Sequence, residues 1–145
     1  MLRKLMLAAI LLASCSVVHA SEPIEVYIGD GCSCCGEWAK YMQKKGFTVR
    51  AHNVTSDQLA RIKKEAGIAE KYASCHTAKV GGYVVEGHVP AEDVKRLLAE
   101  KPNALGISVP GMPIGSPGME QGDTREPYDV LLLRKDGTAE VYAKH

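Results

Sequence analysis

Hydrophobic positions along the chain change their period several times, and each change marks an element. Ile24, Val26 and Ile28 alternate with Glu25 and Tyr27, which predicts a strand with one inward face. Gly29-Asp30-Gly31 then loosens the backbone, and from Cys35 onward Trp38, Ala39 and Met42 fall at helical spacing. Lys44, Lys45 and Gly46 supply a basic last turn and a stop. Residues 47–52 alternate again, with Phe47, Val49 and Ala51 expected inside and Thr48, Arg50 and His52 outside. Thr55-Ser56-Asp57-Gln58 has the form of a capping box, and Leu59, Ile62 and Ala66 form the inner stripe of a second helix that Gly67 ends. Strand, helix, strand, helix implies that the two strands pair in parallel through a crossover.

A polar stretch carrying Cys75 and His76 follows, then a strand at Tyr83-Val84-Val85 after Gly81-Gly82. Pro90 suits the start of a third helix, with Glu92 and Asp93 in its first turn and Val94, Leu97 and Leu98 as its buried stripe. Residues 102–127 are rich in Gly and Pro, and the run from Val109 to Met119 excludes an ordinary helix or central strand. A loop of that length in a compact domain is usually functional or disordered. Val130 to Leu133 reads as a buried strand, Asp136-Gly137 as a hairpin turn and Ala139 to Ala143 as the partner strand. The pattern predicts an α/β domain with a mixed sheet, three main helices and an added C-terminal β-hairpin.

The first residues change the address. Arg3 and Lys4 precede an apolar run from Leu5 to Val18, and Val18-His19-Ala20 reads as a small-residue cleavage site. Residues 1–20 are therefore expected to be a signal peptide, and residues 21–145 one domain of periplasmic location. The run is shorter than the roughly twenty residues that span a bilayer. Leu12-Ala13-Ser14-Cys15 offers a competing lipoprotein signal, so membrane attachment is expected only if Cys15 is lipidated. Ser16-Val17-Val18 argues against it, because it extends the apolar run where a tether should turn polar. A net charge of +1 with no long Lys/Arg run gives no case for a nucleic-acid partner.

Gly31-Cys32-Ser33-Cys34-Cys35-Gly36 places three thiols in four positions at a strand-to-helix turn, where the positive helix end favours thiolates. Cys32 and Cys35 form a Cys-x-x-Cys pair, and Cys34 is one sulfur more than a dithiol needs. Cys75 and His76 add a fourth sulfur and an imidazole. In an oxidising compartment four cysteines would ordinarily make two structural disulfides. Three thiols in one turn do not staple distant parts of a chain, although a bridge from Cys75 back to the cluster stays open. Soft thiolates select Cu(I), whereas imidazole accepts either copper oxidation state. Adjacent Cys34 and Cys35 diverge, which favours several bridged ions over one tetrahedral ion.

A Cys-x-x-Cys opening the first helix of such a unit resembles the thioredoxin fold. Cys32-Ser33-Cys34-Cys35-Gly36, Ser74-Cys75-His76-Thr77, Val80-Gly81-Gly82-Tyr83, Glu86-Gly87-His88-Val89-Pro90 and the run from Pro110 to Met119 resemble the CopG-type periplasmic copper-resistance proteins, a family long filed as a domain of unknown function. The resemblance covers essentially all of residues 21–145. It implies a thioredoxin-like domain that binds copper through its Cys-x-Cys-Cys and Cys-His motifs, with a part in copper redox conversion or transfer.

The expected ligands are Cys32, Cys34, Cys35, Cys75 and His76, joined by His88 and by the thioethers of Met112 and Met119. For His88 the competing reading is a solvated turn residue, and for the methionines ordinary gap filling. His52 is expected to be an outward strand residue, His145 a loose end, and Trp38 and Tyr83 core or shelter. Expected partners are copper ions, with copper carriers or export systems as their source or destination. The alternative function is a thiol-disulfide oxidoreductase with Cys32 as nucleophile and Cys35 as resolving thiol, which leaves Cys34, Cys75 and His76 without a task. An iron-sulfur carrier and structural zinc fit the spacing and the export route less well.

Overall fold

The computed structural model describes residues 22–145, so the signal peptide, its cleavage point and Cys15 lie outside the described residues. Chain order begins with β1 (Ile24–Gly29), α1 (Ser33–Lys44), β2 (Val49–Val54) and α2 (Ser56–Glu65). After a short 3-10 turn at Glu70–Tyr72 come β3 (His76–Val80), β4 (Tyr83–Glu86) and α3 (Ala91–Glu100). The C-terminal part adds β5 (Gly106–Ser108), β6 (Asp129–Leu133) and β7 (Ala139–Lys144).

One seven-stranded sheet runs in the order β2-β1-β3-β4-β5-β6-β7. Strand β1 lies parallel to β2 and antiparallel to β3, and β3 is antiparallel to β4. Strand β5 continues the sheet parallel to β4, and the hairpin β6–β7 completes it antiparallel. Among the described residues, three helices on this mixed sheet make a thioredoxin-like α/β domain in which the hairpin extends the same sheet.

The predicted inward faces hold where they matter for the site. Ile24, Val26 and Ile28 are buried, and they share a core with Cys35, Trp38, Ala39 and Met42 of α1 and with Val94 and Leu97 of α3. Full burial of each large apolar side chain contributes about 1.5–3 kcal/mol. The capping box of α2 forms as expected, with Thr55 accepting from the Gln58 N–H and Gln58 accepting from the Thr55 N–H. Its Leu59 is buried.

Four expectations need correction. Strand β2 is the sheet edge, and Ala51, expected inside, is exposed together with Arg50, His52 and Asn53. An edge strand has a neighbour on one side only, so alternation alone does not bury its residues. The polar stretch at Cys75-His76 opens β3, a central strand with His76 and Thr77 fully buried. The long Gly/Pro loop is interrupted by β5. His145 is no loose end, since its Nε2 lies 2.8 Å from an Asp93 carboxylate oxygen and its ring stacks on Tyr128.

Candidate metal centre

Strand β1 ends at Gly29, and the Cys32 N–H turns back to the Gly29 carbonyl before α1 begins. Cys32 occupies the N-cap position, with Cys34 and Cys35 in the first turn. No side chain caps this helix end, so its N–H groups and positive pole face the sulfurs. Cys32 and Cys35 are joined by a disulfide, while Cys34 and Cys75 are free thiols, both half-buried. A ring of four residues removes little chain entropy, so this bond is a poor staple. Cys75 forms no bridge back to the cluster.

The second half of the site comes from the start of β3 and the turn after β4. Cys75 Sγ lies 3.3 Å from His76 Nδ1 and 3.0 Å from His88 Nε2. His88 Nδ1 donates to the Pro117 carbonyl at 2.8 Å, which leaves the Nε2 lone pair facing the Cys75 thiol. His88 is fully buried, contrary to the solvated-turn reading. The four cysteine sulfurs lie within 4.8 Å of one another, and so do the donors of Cys75, His76 and His88. Cys75 therefore belongs to both sets. His76 Nε2 is buried without a hydrogen-bond partner among the described residues, and the Trp38 ring packs 4.6 Å from the imidazole.

Burial sets the protonation of these groups. It pushes the Cys75 thiol up to about 12, with Cys34 adding to the rise. It holds His76 well below the usual imidazole range, helped by His88 and Lys63. His88 is lowered by burial as well, against the pull of the Pro117 carbonyl. The cluster thus presents neutral imidazoles and a protonated thiol. A metal ion must displace that proton to engage Cys75.

Two supports brace the site. The fully buried Glu86 carboxylate accepts the Ser74 N–H at 2.7 Å, the Thr77 hydroxyl at 2.7 Å and the Lys63 ammonium, which ties α2 to the segment carrying Cys75 and His76. Burial raises the Glu86 pKa, while Lys63 and the hydrogen bonds oppose the rise. The loop at 109–119 closes the other side. Ser74 donates to the Gly111 carbonyl, and Gly118 lies against the backbone of Cys34 and Trp38. Of the two candidate thioethers on this loop, Met112 is exposed and Met119 half-buried. Sequence reasoning missed Lys63, Thr77 and the roles of Glu86 and Pro117. The available signal was an acidic residue ending the apolar run Tyr83-Val84-Val85.

A family model described as "Protein of unknown function, DUF411" matches residues 72–119. A solved structure titled "Copper resistance protein copG- Form 1" is 41% identical, with a TM-score of 0.80, over 86% of this chain and 98% of that one. A second, "Copper resistance protein copG- Form 2", is 40% identical with a TM-score of 0.79 at the same coverage. The chain belongs to the CopG copper-resistance family. No curated protein matches the chain. Among those residues no helix is long and apolar enough to cross a membrane.

Proposed function

We propose that this chain is a periplasmic copper-binding protein of copper tolerance, with copper as its cargo. The observation that carries the reading is the convergence of four sulfurs and two neutral imidazoles on one junction, with Cys75 common to both donor sets. Soft sulfur favours Cu(I), and imidazole keeps Cu(II) accessible during loading or release. With Cys32 and Cys35 as thiolates, the site holds several ions bridged by Cys32, Cys34, Cys35 and Cys75, with His76 and His88 as nitrogen ligands. The unpartnered His76 Nε2 and the lone pair of His88 Nε2 suit this donor set. Met112 and Met119, on the covering loop, supply thioethers during transfer to a copper carrier or export system. Signal cleavage after Ala20 delivers residues 21–145 as one domain to the compartment where copper is handled.

The test is copper content after anaerobic loading of the reduced mature chain with Cu(I), beside Cys34→Ser. Several coppers per chain, sharply reduced in the variant, are expected. Undiminished copper in Cys34→Ser overturns the bridged site. Absence of tight copper from both overturns the copper reading and leaves a dithiol enzyme built on Cys32 and Cys35.

A further inference from the structure

The disulfide and the copper site compete for the same sulfurs. With Cys32–Cys35 closed, the free donors are Cys34, Cys75, His76 and His88; opening the bond adds two thiolates. The two bonded sulfurs differ in access. Cys35 is fully buried, whereas Cys32 is half-buried and lines an open groove of about 440 Å³ with Ile28, Gly29, Asp30, Gly31, Ser33 and Asn53. The groove therefore leads to one end of the bond. Cys35, the other end, sits in the first turn of α1, where the positive helix pole stabilises a departing thiolate.

We propose that the Cys32–Cys35 disulfide is a redox gate on copper capacity, opened by an external dithiol that attacks Cys32 from this groove. The inference rests on the copper reading of these sulfurs. In the first exchange a reductant thiolate bonds to Cys32 Sγ and the electron pair of the broken S–S bond leaves with Cys35. In the second, the reductant's other thiolate attacks its own sulfur in the mixed disulfide and releases Cys32 as a thiolate. The net change is one protein disulfide reduced to two thiols and one dithiol oxidised to a disulfide, with both protons supplied by the reductant. Among the described residues Asp30 is the one charged residue lining the groove, which disfavours an anionic reductant. An uncharged dithiol fits, whether a small molecule or the Cys-x-x-Cys segment of a protein.

Copper capacity and gate opening are measured separately. Chain held as the disulfide is expected to retain fewer Cu(I) ions, against a competing chelator without oxygen, than chain reduced by a phosphine. Equal non-zero content in the two forms overturns the gate and leaves the copper reading intact. No copper in either overturns the copper reading, and the gate with it. Opening is followed without copper, as free thiols released by dithiothreitol in one arm and by reduced thioredoxin in the other. The faster arm identifies the source of the dithiol. Asn53→Trp, at an exposed position, is expected to fill the groove and slow opening several-fold while leaving the copper content of phosphine-reduced chain unchanged. An unchanged rate overturns attack through this groove.

Discussion

A methyl group placed on Gly118 would lie 2.8 Å from the Trp38 backbone nitrogen and 2.9 Å from the Cys34 carbonyl oxygen, and the residue's φ of +87° disfavours any side chain. Gly118→Ala is therefore expected to cost about 1–3 kcal/mol from backbone strain alone. The loss is read as a lowered urea midpoint, together with weaker Cu(I) retention as the loop lifts from α1. An unchanged midpoint would show that the loop yields at no cost. At this scale the cysteines were legible, because three thiols in one turn have no plausible structural task. His88 was harder to place. Gly87 and Val89 say nothing about burial, and the group that orients the ring, the Pro117 carbonyl, comes from a loop whose path local pattern does not fix.

The elements depend on one another through Glu86, which joins α2 to β3 at the end of β4. Glu86→Ala leaves the Lys63 ammonium, the Ser74 N–H and the Thr77 hydroxyl without their partner. Breaking a buried pair in this way costs about 3–5 kcal/mol, and the 16% exposure of the Lys63 side chain points to the lower part of that range. Urea unfolding of the variant at neutral pH measures the loss. Glu86→Gln, which keeps the shape and part of the hydrogen bonding, should lose less. The same network explains why β3 was not read from the sequence. His76-Thr77-Ala78-Lys79-Val80 looks polar because Thr77 and His76 are buried through specific contacts, and apolar patterning does not record them. Strand β5 was hidden differently. It has three residues and begins with Gly106, where an added Cβ would meet the Val84 carbonyl at 1.9 Å, so a residue that reads as loop is what the strand pairing requires. Helices α1, α2 and α3 were legible from their apolar period, to which α2 alone of the three adds a side-chain cap, the Thr55–Gln58 box.

Across the whole molecule, fold class followed from the order of elements, whereas sheet order depended on the two strands that pattern did not reveal. The alkaline limit of stability follows from groups buried in neutral form. Burial raises Tyr128 to about 12 from an ordinary value of 10.0, and Asp93, Tyr41 and Glu120 add to the shift. Between those pH values the unfolded chain has lost the proton that the folded chain still holds, so stability falls as pH rises from about 10 to about 12. Cys75 acts in the same direction. Tyr128→Phe should flatten part of that decline in denaturant titrations of the disulfide form, and an unaltered slope would refute the assignment. Trp38 is the chain's single tryptophan, and its ring rests against His76 while its indole N–H is held by the Val89 carbonyl at 2.9 Å. The protein thus carries an intrinsic fluorophore at the wall of the proposed ligand set. Emission from that one indole reports on the junction without a label, so copper loading, gate opening and loop displacement can be followed in real time on the unmodified chain.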